Sequence, residues 1–169
     1  MNERIHLPPQ HTPIPDQAPL IFLAGPIQGA KDWQTPTALQ LSEHIPELHV
    51  ASPRRLSATG FDYNEQITWE KDHLKRSREL GVIMFWFAAQ DPTLEYKAGR
   101  PYAQTSRIEI GRALGWHDSN PFPLVIGIEP GYTENGGGSE RYFRSLAEEA
   151  NIPVFDDLEE VIDQSILKI

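Results

Sequence analysis

The segment Ser106-Arg107-Ile108-Glu109-Ile110-Gly111 holds the carboxylate with the clearest chemical promise. Read as the opening turn of a helix, it sets Glu109 near the positive end of the helix dipole, which favours the ionised form. An ionised carboxylate at a cleft can attack an anomeric carbon and form a glycosyl ester, splitting one displacement into two. The same Ser106-x-x-Glu109 spacing also fits a capping box, in which the glutamate only satisfies a backbone donor. Asp72 follows Trp69-Glu70-Lys71 on a second helix and either joins such chemistry or pairs locally with Arg76, four residues on. Asp62 either starts that helix or faces a ligand. Trp69 is the tryptophan best placed to stack on a base, although tryptophans more often fill cores. Arg54-Arg55 present planar forks suited to a phosphate or a carboxylate. Gly25-Pro26 end an apolar run, where a glycine lets a ligand approach the backbone closely. That turn has neither the third glycine of a dinucleotide fingerprint nor the GK[ST] of a P-loop.

Composition removes several alternatives. The chain has 169 residues, no cysteine and a formal net charge of −9. Disulfide scaffolds, thiolate metal sites and cysteine nucleophiles are excluded. The acidic balance argues against a nucleic-acid partner, because no basic face releases counterions. No apolar run approaches the ~18–20 residues of a membrane span, and the first 15 residues lack the apolar core of a signal peptide. The histidines show no H-x-x-x-H or H-E-x-x-H pairing, so neither a metal nor a cofactor is expected. The expectation is a soluble, cytoplasmic domain acting on a small molecule.

The elements that must position these residues follow from pattern. Residues 1–19 carry five prolines (Pro8, Pro9, Pro13, Pro15 and Pro19), which predicts an extended arm, either a disordered tail or a strap across a neighbouring subunit. A single domain then spans 20–169. Apolar runs at 20–24, 48–51, 82–87, 123–128 and 152–155 read as strands. Between them come helical patterns from Thr35-Pro36 to Pro46, from about Asn64 to Leu80, from Ser106 to about Trp116, from Ser139 to Ala150 and from about Asp157 to Leu167. On the second helix, Ile67, Lys71, Leu74 and Arg78 form the expected inward stripe. Five strands alternating with helices predict an α/β domain with a five-stranded parallel sheet and right-handed crossovers. Ligands of such sheets bind beyond the strands' carboxyl ends. Residues 88–104 form a long loop without period, and Gly131 to Gly138 reads as a mobile stretch.

With these residues in view, the chain resembles the nucleoside 2-deoxyribosyltransferase superfamily, in particular its divergent deoxyribosyltransferase-like branch. The matching pieces are Ile21 to Pro26, Ser52 to Arg55, Tyr63 to Glu70, Leu80 to Phe87 and Ser106 to Ala113, in order and in register over about residues 20–130. The resemblance implies a flavodoxin-like three-layer sandwich assembled as a homo-oligomer, dimer or higher. It implies exchange of the base of a 2'-deoxynucleoside, with a nucleoside and a free nucleobase as small-molecule partners. The alternatives are hydrolysis of a nucleoside or its 5'-monophosphate, and a non-catalytic nucleotide-binding domain. By motif position Glu109 falls on the family nucleophile and Asp72 on the aspartate that handles the base. Phe22, Gly25, Pro26, Asp62, Trp69, Arg54 and Ser106 are the expected substrate-binding residues. Phe22 stands where many members carry a tyrosine that orients the nucleophile, and Ala103 where the transferases carry a further aspartate. Pro26 and Gln28 replace the serine and arginine with which hydrolases hold a 5'-phosphate.

Overall fold

The computed structural model describes residues 2–56, 62–96, 99, 101–132 and 138–169. Within them the chain folds as an α/β three-layer sandwich around one parallel sheet. In chain order the elements are β1 (Ile5–His6), β2 (Leu20–Ala24), α1 (Gln34–His44), β3 (His49–Ala51), α2 (Tyr63–Glu79) and β4 (Gly81–Phe87). They continue with α3 (Gln104–Ser119), β5 (Leu124–Ile128), α4 (Gly138–Glu149), β6 (Val154–Phe155) and α5 (Leu158–Ile166).

The sheet order is β1-β3-β2-β4-β5-β6, with every neighbouring pair parallel. Leaving β1 aside, the five remaining strands have the 2-1-3-4-5 order of flavodoxin-like folds. β2, β3, β4 and β5 are buried on both faces because helices cover both: α1 and α5 on one side, α2, α3 and α4 on the other. The predicted strand and helix segments all appear, with ends shifted by a few residues. Residues 133–137, the larger part of the stretch expected to be mobile, lie outside the described residues.

Among the described residues the sheet has six strands rather than five, and the sixth comes from the proline-rich arm. Ile5 and His6 pair with Val50 and Ala51 of β3, fixed by Val50 N donating to Arg4 O at 2.9 Å and Ser52 N to His6 O at 3.0 Å. The expectation of a loose tail is therefore corrected: the arm is held on β3 and α2 of its own chain. Ile5 and His6 precede the prolines, so an edge ladder can form before proline removes the donors. The rest of the arm crosses α2, where Trp69 Nε1 donates to Gln10 O at 2.9 Å and Arg76 donates to the carbonyls of Asp16 and Ala18.

The inward face of α2 is rotated from the expected stripe. Gln66, Trp69, His73 and Ser77 are buried, whereas Lys71 is exposed. Trp69 is the largest side chain available and takes the core position, packing on Phe22 and stacking on His73. That choice sets the direction of every other α2 side chain. Among the described residues, no helix is long and apolar enough to cross a membrane.

Candidate active site

The chain leaves β2 toward β3 on one side and later returns to β4 on the other, so the loops after these strands part at the carboxyl edge. A cleft of about 410 Å³ lies there. Its walls are Gly25 to Gln28 after β2, Pro53 to Arg55 after β3, the first turns of α2, Tyr96, and Ala103 to Ser106 with Glu109 at the start of α3.

The first wall depends on Gly25. Its φ is +149°, and an added Cβ would lie 2.1 Å from the Trp86 carbonyl oxygen of the neighbouring strand, so no side chain fits. The Pro26 carbonyl then accepts from Trp33 Nε1 at 3.1 Å and Gln34 Nε2 at 3.3 Å. Gln34 also accepts from Arg54 Nε at 3.1 Å, and Arg54 pairs with Asp32 at 3.0 Å. The Arg54 guanidinium thus ties two loops together at the cleft wall.

Helix α3 begins at Gln104, two residues earlier than expected, with Ala103 in the left-handed region at φ 53° and no side-chain cap. The Ser106-x-x-Glu109 capping box does not form, because Ser106 is already inside the helix. Glu109 sits in the second turn, away from the strongest field of the helix dipole. Burial pushes its pKa up to about 7, Glu70 pushes the same way, and Arg112 opposes them. Ser106 is buried and lines the cleft beside it.

Opposite α3, the cleft wall formed by α2 consists of Tyr63, Gln66, Ile67 and Glu70. Glu70 is the second carboxyl of the site. Burial raises its pKa, while its hydrogen bond from Gln66 and the charge of Arg55 lower it. Gln66 Nε2 donates to Glu70 Oε1 at 2.7 Å and to Pro53 O at 3.1 Å, and Gln66 Oε1 accepts from Arg55 Nε at 2.6 Å.

Several sequence-derived candidates are thus brought together: Glu109, Gly25, Pro26, Arg54 and Ser106 all line this cleft. Four are not. Asp72 does not line it; its side chain is 61% exposed and lies 3.8 Å from His11 of the arm. Residues two apart in a helix point about 200° apart, so Asp72 faces away once Glu70 faces the cleft. Trp69 is fully buried in the core, and its indole N–H is taken by the arm, so it is no platform for a base. Phe22 is buried beneath it in β2. Asp62 is the N-cap of α2, its carboxylate accepting from the amides of Asn64 and Glu65 at 2.7 and 3.0 Å.

Sequence reasoning missed Glu70 and Gln66. The available signal was the Tyr63, Gln66, Ile67, Glu70 spacing of i, i+3, i+4 and i+7, which puts four residues on one helical stripe. Tyr96, from the unassigned 88–104 loop, was also missed. Its ring covers Gly29 and its hydroxyl donates to Pro101 O at 2.7 Å. Among the described residues, no three histidine, aspartate or glutamate side chains converge as metal ligands. The chain matches no protein-family model, and no curated protein shows significant similarity to it.

Proposed function

We propose that this chain transfers a 2-deoxyribosyl group between nucleobases, with Glu109 as the nucleophile and Glu70, in place of Asp72, as the carboxyl that serves the base. One observation carries the reading: two half-buried carboxyls, Glu109 and Glu70, face one cleft of nucleoside size at the switch point of a parallel sheet. A retaining displacement at an anomeric carbon needs one carboxylate to attack and one carboxylic acid to protonate the leaving group. Burial and the charge of Glu70 push Glu109 up to about 7, and burial raises Glu70, so the two carboxyls hold fewer than two charges near neutrality. Such a pair carries both the nucleophile and the proton.

In the forward half-reaction, Glu109 Oε attacks C1' as the C1'–N bond breaks, and the departing base nitrogen takes the proton from Glu70. A glycosyl-Glu109 ester and a free base result. In the second half-reaction an acceptor base attacks C1', giving its proton to Glu70 and releasing Glu109. Exclusion of water by a bound base between the cleft walls favours a base over water as acceptor. Hydrolysis is the same chemistry with water as acceptor.

The test is incubation with 2'-deoxyinosine, with and without adenine, followed by chromatography and intact mass. Deoxyadenosine formed only with adenine is the expected result, together with an adduct of deoxyribose mass on Glu109. Hypoxanthine released equally in both tubes means a hydrolase. Saturable nucleoside binding with no product from 2'-deoxyinosine, pyrimidine deoxynucleosides or monophosphates means a binding domain.

A further inference from the structure

Both amide protons of Gln66 are committed, and its orientation is dictated. Arg55 Nε, a group that can only donate, points at Gln66 Oε1 from 2.6 Å. The NH2 group is therefore forced to the other side, where it meets two acceptors, Pro53 O at 3.1 Å and Glu70 Oε1 at 2.7 Å. A flipped amide would set oxygen against carbonyl and carboxylate, and nitrogen against guanidinium. Gln66 itself is buried, which makes such mismatches costly. Arg55 is anchored in turn by donating to Asp62 O at 3.3 Å, at the N-cap of α2. Arg55 thus donates in two directions, to Asp62 O at the helix start and to Gln66, and Gln66 in turn donates to Glu70 in the cleft.

We propose that Gln66, with its amide locked by Arg55, is a positioning residue that pins the anionic form of Glu70 and so favours the protonated form of Glu109 while the cleft is empty. The inference rests on the transfer reading above for its role in turnover, but not for the relay itself. A donor aimed at Glu70 stabilises its charged form. That charge disfavours a second one on Glu109, against the opposing pull of Arg112 on the same helix as Glu109. Glu70 is faced by Gln66 on its own helix and by Arg55 from the loop after β3. Below about pH 7 the cleft therefore rests with Glu109 largely protonated. A substrate base that approaches Glu70 and draws the proton to that side frees Glu109 to attack only when a leaving group is in place. Premature attack by water on an unassisted sugar is suppressed by the same arrangement.

The test uses the full chain labelled with glutamate enriched in 13C at Cδ, the Glu109 resonance being assigned from its loss in Glu109→Gln. Its titration is followed by NMR in wild type, Gln66→Met and Arg55→Met. Methionine keeps the bulk of glutamine but donates nothing. Loss of the donor lets Glu70 take up the proton, so the Glu109 midpoint is expected to fall by about 0.5–1 pH unit in both variants. The acidic limb of kcat/KM should move down with it, while kcat at pH 8 drops about tenfold or more because Glu70 is no longer held. A Glu109 midpoint unmoved, or raised, in the folded variants overturns the relay whatever the turnover. Should Gln66→Met not fold, Arg55→Met, changed at the partly exposed end of the relay, decides alone. A midpoint that falls in a chain that exchanges no bases removes the transfer reading and leaves the relay standing.

Discussion

His6 Nε2 and His49 Nδ1 lie 2.8 Å apart, so two buried imidazoles join the arm strand β1 to β3. The His73 ring stands 5.7 Å from that of His6 and 6.0 Å from that of His11, extending the cluster onto α2. His73 Nδ1 bonds the Trp69 carbonyl at 2.7 Å. Burial, then His49 and His73, depress the His6 pKa to about 4. Burial also lowers His49, with Arg4 and Arg76 adding to it, and lowers His73 against the pull of its bond to Trp69.

This cluster predicts acid lability. Between pH 6.5 and about 4 the unfolded chain protonates His6 and the folded chain does not, so stability falls as pH drops through that window. The contribution of His6 is on the order of 3 kcal/mol once pH reaches 4. Urea unfolding of wild type and His6→Phe at a series of pH values isolates it. The stability advantage of wild type should shrink by about that amount from pH 7 to pH 4. A gap independent of pH would exclude the assignment.

Glu109 predicts a dependence of the opposite sign. Its folded pKa, about 7, lies above the ordinary carboxylate value of 4.5, so the folded state holds a proton that the unfolded state has lost between those values. Its contribution is present below pH 4.5 and lost as pH rises through 7. Glu109→Gln should therefore unfold at higher urea than wild type at pH 8, by about 1–3 kcal/mol, and show no such advantage at pH 4. Its base exchange should fall by about 10³-fold or more. A folded variant that keeps a tenth of the activity would remove Glu109 as nucleophile.

Glu70 and Asp72 separate cleanly by mutation. Glu70→Gln is expected to cost about 10²–10⁴-fold in kcat, most with bases that leave poorly. Asp72→Asn, on the exposed side of α2 near His11, should stay within about threefold of wild type, since surface substitutions seldom matter beyond ±0.5 kcal/mol. Steady-state rates with hypoxanthine and thymine leaving groups check both. The reverse ranking would restore Asp72.

Trp69→Phe tests the joint between arm and helix. The variant loses the indole donor to Gln10 O and leaves part of a fully buried site empty. About 1–3 kcal/mol of stability should be lost. Amide exchange should quicken at Val50 and Ser52, which pair with the arm. Protection there equal to wild type would mean that the arm is held by the ladder alone.

Gly25→Ala meets a backbone atom rather than a movable side chain. With the added Cβ 2.1 Å from Trp86 O at a φ of +149°, β2 and β4 must separate at the cleft edge. A loss of more than about 3 kcal/mol, or no soluble folded protein, is expected by thermal unfolding.

The parallel sheet was legible from the chain because runs such as Leu20–Ala24 and Val82–Phe87 are apolar at every position, which only a sheet covered on both faces explains. The placement of Glu109, Arg54 and the Gly25-Pro26 turn around one cleft was legible too, since strand ends in such sheets converge on one edge. Local pattern could not tell which way α2 faces. Trp69, Glu70 and Asp72 span much of a helical turn, and only the packing of Trp69 between Phe22, His73 and the arm decides that Glu70 enters the cleft and Asp72 leaves it. Nor could it reveal β1, a two-residue strand whose existence depends on β3, far along the chain, presenting an unpaired edge. The protonation of Glu109 belongs to the same class. The helix dipole, a local property, favours the anion, but burial and the charge of Glu70 are tertiary facts, and together they outweigh it.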